Sequence, residues 1–301
     1  MTIADPRAKS RMVVTGCEGQ VVSSLIERTA LDDRFEVVAL GRPALDLARP
    51  ETVGALLRDA RPDVIVSAAA YTAVDQAETE EGVATIINGT AAGAIAAAAD
   101  ALGVPVIHLS TDYVFDGSKD APYLETDPVA PIGAYGRSKL AGERAVAEAT
   151  DNYAILRTAW VYSPFGKNFL KTMLRVAETR DSLNVVDDQV GNPTSALDIA
   201  DAVIVVATNL QASDDAGLRG VFHMTGTGEA SWADFAEEIF ALSNSKGGTT
   251  AVVSRIPSSS YPTPAKRPAN SRLDCSKLAG VHGVRLPRWQ DSTATVVRRL
   301  V

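Results

Sequence analysis

Strand and helix signals alternate through the first 160 residues of this chain, and that alternation constrains its fold more than any other feature. Short apolar runs occur at Arg11–Thr15, Phe35–Leu40, Asp63–Ser67, Val104–Leu109 and Tyr153–Arg157. Runs of this length and composition read as buried strands. Helical stretches lie between them, notably the alanine-rich Thr85–Leu102, whose small residues suit close packing on a sheet. Strands that alternate with helices assemble into a parallel sheet covered on both faces. The expected fold is therefore α/β, a doubly wound sheet of the Rossmann type.

After about residue 160 the alternation loosens. Ser182–Val186 and Gly220–Met224 read as strands, and Ser231–Leu242 reads as an amphipathic helix with Ser231 as its N-cap. Pro257-Ser-Ser-Ser-Tyr-Pro-Thr-Pro264 reads as a long ordered loop, because so many prolines cannot sit in regular structure. The expected division is a dinucleotide-binding domain over residues 1–160. A smaller C-terminal substrate-binding region, partly interleaved with it, follows over 161–301.

Arg11-Met-Val-Val-Thr15 is followed by Gly16-Cys-Glu-Gly19 and a helix beginning near Gln20. Two glycines between a strand and a helix let the backbone approach a pyrophosphate at the helix amino terminus. By itself this half-motif is weak. Its place at the head of a βαβ pattern makes it a dinucleotide-binding loop. The third glycine of the full fingerprint is replaced by Val22, so the first helix must pack slightly away from the sheet or against a smaller neighbour. The second strand ends Ala39-Leu-Gly-Arg42, with no acid for the ribose hydroxyls and an arginine available for a 2′-phosphate. Glu36 falls about 20 residues past Gly16, but at the start of that strand. This favours NADPH as cofactor, with NADH as the other option.

Tyr135 and Lys139 stand four apart at the start of a helical segment, which puts both on one face. A phenol has an unperturbed pKa of about 10. An ammonium about 5.5 Å away favours its anion by roughly 3 kcal/mol at an effective dielectric of about 20. That is worth about two pKa units, enough to bring Tyr135 into working range. Upstream, Ser110 and Thr111 follow the Val104–Leu109 strand, where a parallel sheet opens onto its ligand crevice. A hydroxyl and an activated phenol can both bond a carbonyl oxygen as hydride arrives. One of the two hydroxyls merely ends the strand, and Thr111 is assigned to the chemistry.

Composition excludes several classes. Apolar residues make up 46% and charged residues 22%, ordinary for a globular protein. Cys17 and Cys275 are the only cysteines, which suggests neither a disulfide framework nor a zinc site. Cys17 reads as a small filler in the phosphate loop. No run approaches the roughly 18 apolar residues of a membrane span, and the first ten residues lack a signal-peptide core. The expected location is cytoplasmic, with no membrane partner. A net charge of −8 argues against a nucleic-acid surface.

With these residues in place, the chain resembles the extended short-chain dehydrogenase/reductase superfamily and, within it, the dTDP-4-dehydrorhamnose reductase family. Gly16-x-x-Gly-Gln-Val21 and Tyr135-Gly-x-Ser-Lys-Leu-Ala-Gly-Glu143 are common to the superfamily. Narrower matches are Arg61-Pro-Asp-Val-Ile65, Ala68-Ala-Ala-Tyr-Thr-Ala-Val-Asp75, Ser110-Thr-Asp-Tyr-Val-Phe115 and Arg157-Thr-Ala-Trp-Val-Tyr162. Asp188-Gln-x-Gly-x-Pro-Thr194, Ser260-Tyr-Pro-Thr-Pro264 and Arg267-Pro-Ala-Asn-Ser-Arg272 complete the set.

The resemblance implies reduction of the C4 ketone of a dTDP-4-dehydro-6-deoxy sugar by a nicotinamide cofactor. It implies that Tyr135 is the general acid, that Lys139 tunes it and bonds the nicotinamide ribose, and that Thr111 polarises the carbonyl with Asp112 beside it. Gly19, Gln20 and Val21 would line the pyrophosphate, Asp46 and Leu47 would meet the adenine, and Ala70, Tyr71 and Thr72 would border the cofactor. Trp160 would face the deoxysugar. Arg267 and Asn270 would hold the nucleotide and diphosphate end, a role that suits Lys266 and Arg267 side by side in an acidic protein.

Plainer roles compete with these. Trp160 could be core, Asp46 a loop acid, and Arg267 the partner of a surface carboxylate. Asp75 is expected to hold a turn, His108 to be a packed histidine, and Glu78–Glu81 to be a solvated helix start. Some family members are metal-linked dimers whose glutamates match Ser24 and Leu197 here, neither a carboxylate. A hard cation needs oxygen ligands, so no metal is expected, and the chain is a monomer or a weak homodimer without a bridging ion. Two other functions share parts of the pattern: a nucleotide-sugar epimerase or dehydratase holding NAD tightly, and a regulatory subunit resembling that of methionine adenosyltransferase. Intact Thr111, Tyr135 and Lys139 argue against the latter.

Overall fold

A parallel sheet needs cover on both faces, and this chain supplies it helix by helix. The computed structural model describes residues 9–30 and 32–301; most of the opening ten residues, read above for a signal peptide, lie outside that range. β1 (Ser10–Thr15) leads through α1 (Gln20–Thr29) to β2 (Phe35–Leu40), and α2 (Val53–Ala60) leads to β3 (Val64–Ser67). A short α3 (Val74–Ala77) precedes one continuous helix made of α4 (Glu81–Thr85), a π-helical turn at Ile86–Thr90 and α5 (Ala91–Leu102). β4 (Val106–Thr111), α6 (Ala134–Ala149) and β5 (Tyr153–Thr158) follow. Beyond them come β6 (Val161–Tyr162), α7 (Phe169–Ala177), β7 (Ser182–Val186), β8 (Val190–Gly191), β9 (Thr194–Ser195) and α8 (Ala196–Ala212). The chain ends with β10 (Gly220–His223), β11 (Ala230–Ser231), α9 (Trp232–Asn244), β12 (Val252–Ile256), α10 (Ser276–His282) and α11 (Trp289–Val297).

Six strands form the central parallel sheet in the order β10-β5-β4-β3-β1-β2. The direction of winding reverses between β1 and β3, so the ligand crevice opens over the carboxyl ends of those strands. Val22 and Leu25 of α1 share one core with Ile199, Val203 and Val206 of α8 on one face of the sheet. On the other face, Leu57 of α2 packs with Ala92, Ile95, Ala96 and Ala99 of α5. The helix Glu81–Leu102 is long and apolar enough to cross a membrane by length and composition. Here it is a core helix, with Ala84, Ala91, Ala92, Ala96 and Ala99 buried against the sheet and α6. The C-terminal region has its own core, in which Phe235, Ile239 and Phe240 of α9 meet Leu170, Leu183, Trp289 and Val296.

The structure adjusts three sequence-based bounds. β4 extends through Ser110 and Thr111, which pair with Arg157 and Thr158, because ladder bonding is indifferent to the polarity that marked the end of the apolar run. The strand at Gly220–His223 joins β5 as the sixth member of the central sheet, so the chain returns to the sheet after leaving it. Within Pro257–Pro264 the backbone makes one short 3-10 turn at Ser258–Ser260. Ser231 is the N-cap of α9 and forms a reciprocal capping box with Asp234.

The seat of α6 is set by close backbone approach. A methyl group on Gly142 would overlap the Asn88 carbonyl oxygen of the π turn, and one on Gly136 would overlap the Tyr113 carbonyl oxygen. Gly142→Ala should therefore cost about 1–3 kcal/mol, as overpacking does in other cores. Gly82, on exposed α4 with open space around it, is the control. Gly82→Ala should hold stability or raise it by about 0.5 kcal/mol. Equal urea midpoints for the two variants would show that the α6 seam is not tight.

Candidate active site

A cleft of about 930 Å³ lies over the carboxyl ends of the central strands, with walls from both halves of the chain. Its floor is the β1–α1 turn. Gly16 takes φ +99°, a region open to glycine at little cost, and Thr15 Oγ1 accepts from the amides of Ala68 and Ala69 at 3.0 Å. Val22, in place of a third glycine, is buried against the small residues Gly16 and Ala69, which is how α1 keeps its seat. Gly19 caps α1 with no side-chain bond, and the first turn carries no acid. The orphan amides of that turn and its positive dipole end are therefore left to a ligand. Val21 lies in the same wall. Gln20 is different: its side chain is engaged with Val161 O, Ser163 and Asn168, so its backbone is what it offers.

The second wall runs from the end of β2. A Cβ on Gly41 would lie 2.8 Å from Cys17 Sγ, so this wall and the phosphate loop touch. Arg42 is exposed on the cleft. Asp46 Oδ1 accepts from the Ala48 amide at 3.0 Å, holding its own loop, and Leu47 beside it is buried. Both line the cleft.

Ala70, Tyr71 and Thr72 form the third wall, after β3. Asn88 holds them in place. Its Oδ1 accepts from the Tyr71 amide at 2.8 Å, and its Nδ2 donates to Tyr71 O at 3.1 Å and to Ser138 Oγ at 2.9 Å. Ser138 in turn donates to Tyr135 O. Asn88 was missed by sequence reasoning because a π turn in an alanine-rich helix leaves no pattern; such turns recur at functional sites. Glu78–Glu81, expected to be solvated, instead clamps the start of α6. Glu78 Oε1 accepts from the Ala134 amide at 2.8 Å, Glu80 accepts from the Tyr71 hydroxyl, and Glu81 pairs with Arg137.

At the centre, Tyr135 and Lys139 of α6 line the cleft with Leu109 and Ser110 of β4. Lys139 Nζ donates to Leu109 O at 2.6 Å and lies 3.4 Å from His108 Nε2. Burial lowers its pKa to about 8, against an opposing pull from Glu143. His108 is a packed residue, bonded to Ser67 through Nδ1 and held well below its ordinary pKa by burial and by the Lys139 charge. Tyr135 departs from expectation. Burial and then the Asp112 charge push it up to about 12, with Thr111 acting weakly the other way. Lys139 does not bring it down, because its ammonium is drawn to the Leu109 carbonyl rather than to the phenol.

Thr111 Oγ1 donates to Asp112 Oδ1 at 2.8 Å and accepts from the Tyr113 amide at 3.2 Å. Asp112 is buried, its Oδ2 has no partner, and burial raises its pKa to about 6. Ser271 lies beside Asp112, and the space in front of Gly191 is closed by Ser271 Oγ and the Trp160 ring together. Trp160 therefore belongs to the Asp112 side of the site. One of its faces is covered by Trp232, stacked at 3.6 Å, and its backbone takes φ +47°, a strained value for a bulky residue.

Arg267 and Asn270 both have partners within the protein. Arg267 pairs with Asp75 at 2.9 Å and donates to Ala265 O, so it meets a carboxylate of its own chain. Asp75 also accepts from the Ala265 amide, tying two loops rather than one turn. Asn270 donates to Lys119 O and Ala121 O and accepts twice from Arg272, which uses its full amide capacity inside the protein. Its side chain shapes a loop. Ser24 and Leu197 are both buried in the interior. Among the described residues no three His, Cys, Asp or Glu side chains gather in a metal-binding group.

A family model described as the RmlD substrate binding domain matches residues 10–301. The dTDP-4-dehydrorhamnose reductase of Sinorhizobium fredii is 54% identical over 97% of this chain and 98% of its own. That of Burkholderia thailandensis is 46% identical over 97% of this chain and 99% of its own. Among solved structures, the dTDP-4-dehydrorhamnose reductase of Bacillus anthracis in complex with NADP superposes with a TM-score of 0.89 at 32% identity, covering 97% of this chain and 99% of that one. The Clostridium acetobutylicum enzyme of the same name gives 0.89 at 36% identity, covering 96% and 99%. The chain belongs to the dTDP-4-dehydrorhamnose reductase family.

Proposed function

We propose that this chain uses NADPH to reduce the C4 ketone of dTDP-4-dehydro-6-deoxy-L-mannose, giving dTDP-L-rhamnose, a precursor of cell-surface polysaccharide. The reading rests on Tyr135, Lys139 and the Thr111–Asp112 pair gathered at the end of β4, where the cleft begins. The open α1 amides and Gly16 fit a dinucleotide pyrophosphate. When bound, the nicotinamide supplies the hydride that adds to C4. Tyr135, kept protonated by its surroundings, delivers the proton to the ketone oxygen, and Thr111 polarises that oxygen by turning to it the one hydroxyl proton that Asp112 accepts in the free protein. Beyond its contacts with Leu109 and His108, Lys139 has a further N–H donor to hold the nicotinamide ribose. Trp160, stacked on Trp232, gives the deoxysugar an apolar face.

On this reading residues 1–160 bind the cofactor and 161–301 mainly the sugar. A cytoplasmic location goes with this reading, since the reaction draws on NADPH. NADH fits the same cleft as the weaker cofactor.

Tyr135→Phe should cut turnover by roughly a hundredfold or more while leaving NADPH binding nearly intact. The readout is loss of NADPH absorbance that depends on added dTDP-4-dehydrorhamnose. Near-normal turnover in that variant would sink the mechanism, and NAD retained through purification would favour an epimerase. Arg42→Ala should raise the KM for NADPH about tenfold and leave that for NADH unchanged, as expected for a charged contact to the 2′-phosphate. Equal effects on both cofactors would remove Arg42 from that role. The chain is a monomer or weak homodimer with no bridging ion. Sedimentation profiles with magnesium and with a chelator should superpose; a dimer that needs the ion would overturn this.

A further inference from the structure

The segment 163–168 joins β6 to α7 and crosses the first turn of α1. Gln20 anchors it at both ends: its Oε1 accepts from Ser163 Oγ and from Asn168 Nδ2, each at 2.9 Å. Asn168 also donates to Ser163 O at 2.8 Å, and its Oδ1 caps α7 by accepting from the Lys171 amide at 3.0 Å. Ser163 is fully buried. In between, Gly166 lies against α1, the position of a Cβ on it being 3.4 Å from Gln20 Cγ. The strap is therefore held in one place before any ligand arrives.

The residue it presents is Lys167, exposed and lining the same cleft as Gly16–Val22. Lys167 forms no ion pair among the described residues, not even with Glu18 on the same cleft. An unpaired ammonium sharing a cleft with the positive end of a helix gains nothing from it. The arrangement becomes favourable when an anion sits between them. We propose that Lys167 binds the pyrophosphate of the nicotinamide dinucleotide from the side opposite the α1 amides, so that the strap supplies the second charge of the phosphate site.

This rests on the cofactor reading above. A nucleotide sugar also carries a diphosphate, but Thr111 and Asp112 mark its end of the site, whereas Lys167 stands at the α1 turn beside Gln20. Nor is the 2′-phosphate the partner, since that group belongs with Arg42 at the end of β2.

The experiment measures equilibrium binding of ADP-ribose, NADH, NADPH and dTDP to the wild type, Lys167→Ala and Lys167→Arg. Lys167 is exposed and outside every core, so both variants should fold. The alanine variant should bind ADP-ribose, NADH and NADPH about tenfold more weakly, with nearly equal factors, and dTDP unchanged. The arginine variant should bind all four almost as the wild type does. Unchanged affinity for the three dinucleotide ligands overturns the proposal while leaving the cofactor reading in place. Loss confined to NADPH assigns Lys167 to the 2′-phosphate, and loss confined to dTDP assigns it to the substrate; either overturns it. A wild type that binds no ADP-ribose at all overturns the proposal and the cofactor reading together.

Discussion

The buried pair of Glu143 and Arg157 is the contact on which the geometry of the site depends. Two hydrogen bonds of 2.9 and 2.7 Å join them, and each side chain is only 5% exposed. Glu143 Oε1 also accepts from Ser110 Oγ at 2.5 Å. One carboxylate of α6 is thus bonded to the last turn of β4 and to its register partner on β5. Such a pair adds little net stability over an apolar packing, because desolvating both charges offsets their attraction. What it provides is position. Removing either partner leaves an unpaired charge in the core, at a cost of about 3–5 kcal/mol, so α6 has one allowed height relative to the strand ends. Tyr135 stands two turns before Glu143 on the same helix and inherits that height. The Glu78 clamp and the Gly136 and Gly142 contacts fix the remaining freedoms of the helix.

The electrostatics around Tyr135 favour a proton donor. Burial and the Asp112 charge both oppose a phenolate. A donor with a high pKa holds its proton until the acceptor oxygen has gained charge, which matches a step in which hydride arrives first. Lys139 supplies its charge further down the helix face, at the strand carbonyl where a ribose would lie, and burial brings it near the edge of ionisation. Asp112 shares the same economy of charge. One of its oxygens is satisfied by Thr111 and the other is buried without a partner, so on the proposed reading it would accept from a sugar hydroxyl.

How much was legible in the sequence follows from what each feature needs. β1 and β3 fall where their apolar runs do, within a residue, because a central parallel strand is covered on both faces and its inner residues must be apolar. Thr111 was placed beyond the strand for the same reason, since polarity and ladder bonding part company at a functional strand end. The spacing of Tyr135 and Lys139 put both on one helix face, and both line one cleft. Where the Lys139 ammonium points was not legible, because it depends on a carbonyl 30 residues upstream. The π turn at Asn88, the spent amide of Asn270 and the Arg267–Asp75 pair are likewise long-range bonds that no local pattern encodes.

The two halves of the chain are less separable than their roles. Residues after 161 return α8 to the α1 face of the sheet and β10 to its β5 edge, so much of the cover that makes the parallel sheet stable comes from the half that would hold the sugar. The same half reaches back across α1, where Gln20 ties the phosphate loop to the 163–168 strap. A dinucleotide in this cleft would therefore touch both halves at once, at the turn where one side chain already joins them. Binding energy gained at the phosphates would hold the strap and α6 in register without any large motion, because both are hydrogen-bonded into place beforehand. Preorganisation of this kind lowers the cost of ordering the site when the sugar enters. It also gives a reason for the many internal bonds of a short segment between β6 and α7 that touches the C-terminal core only through Phe165.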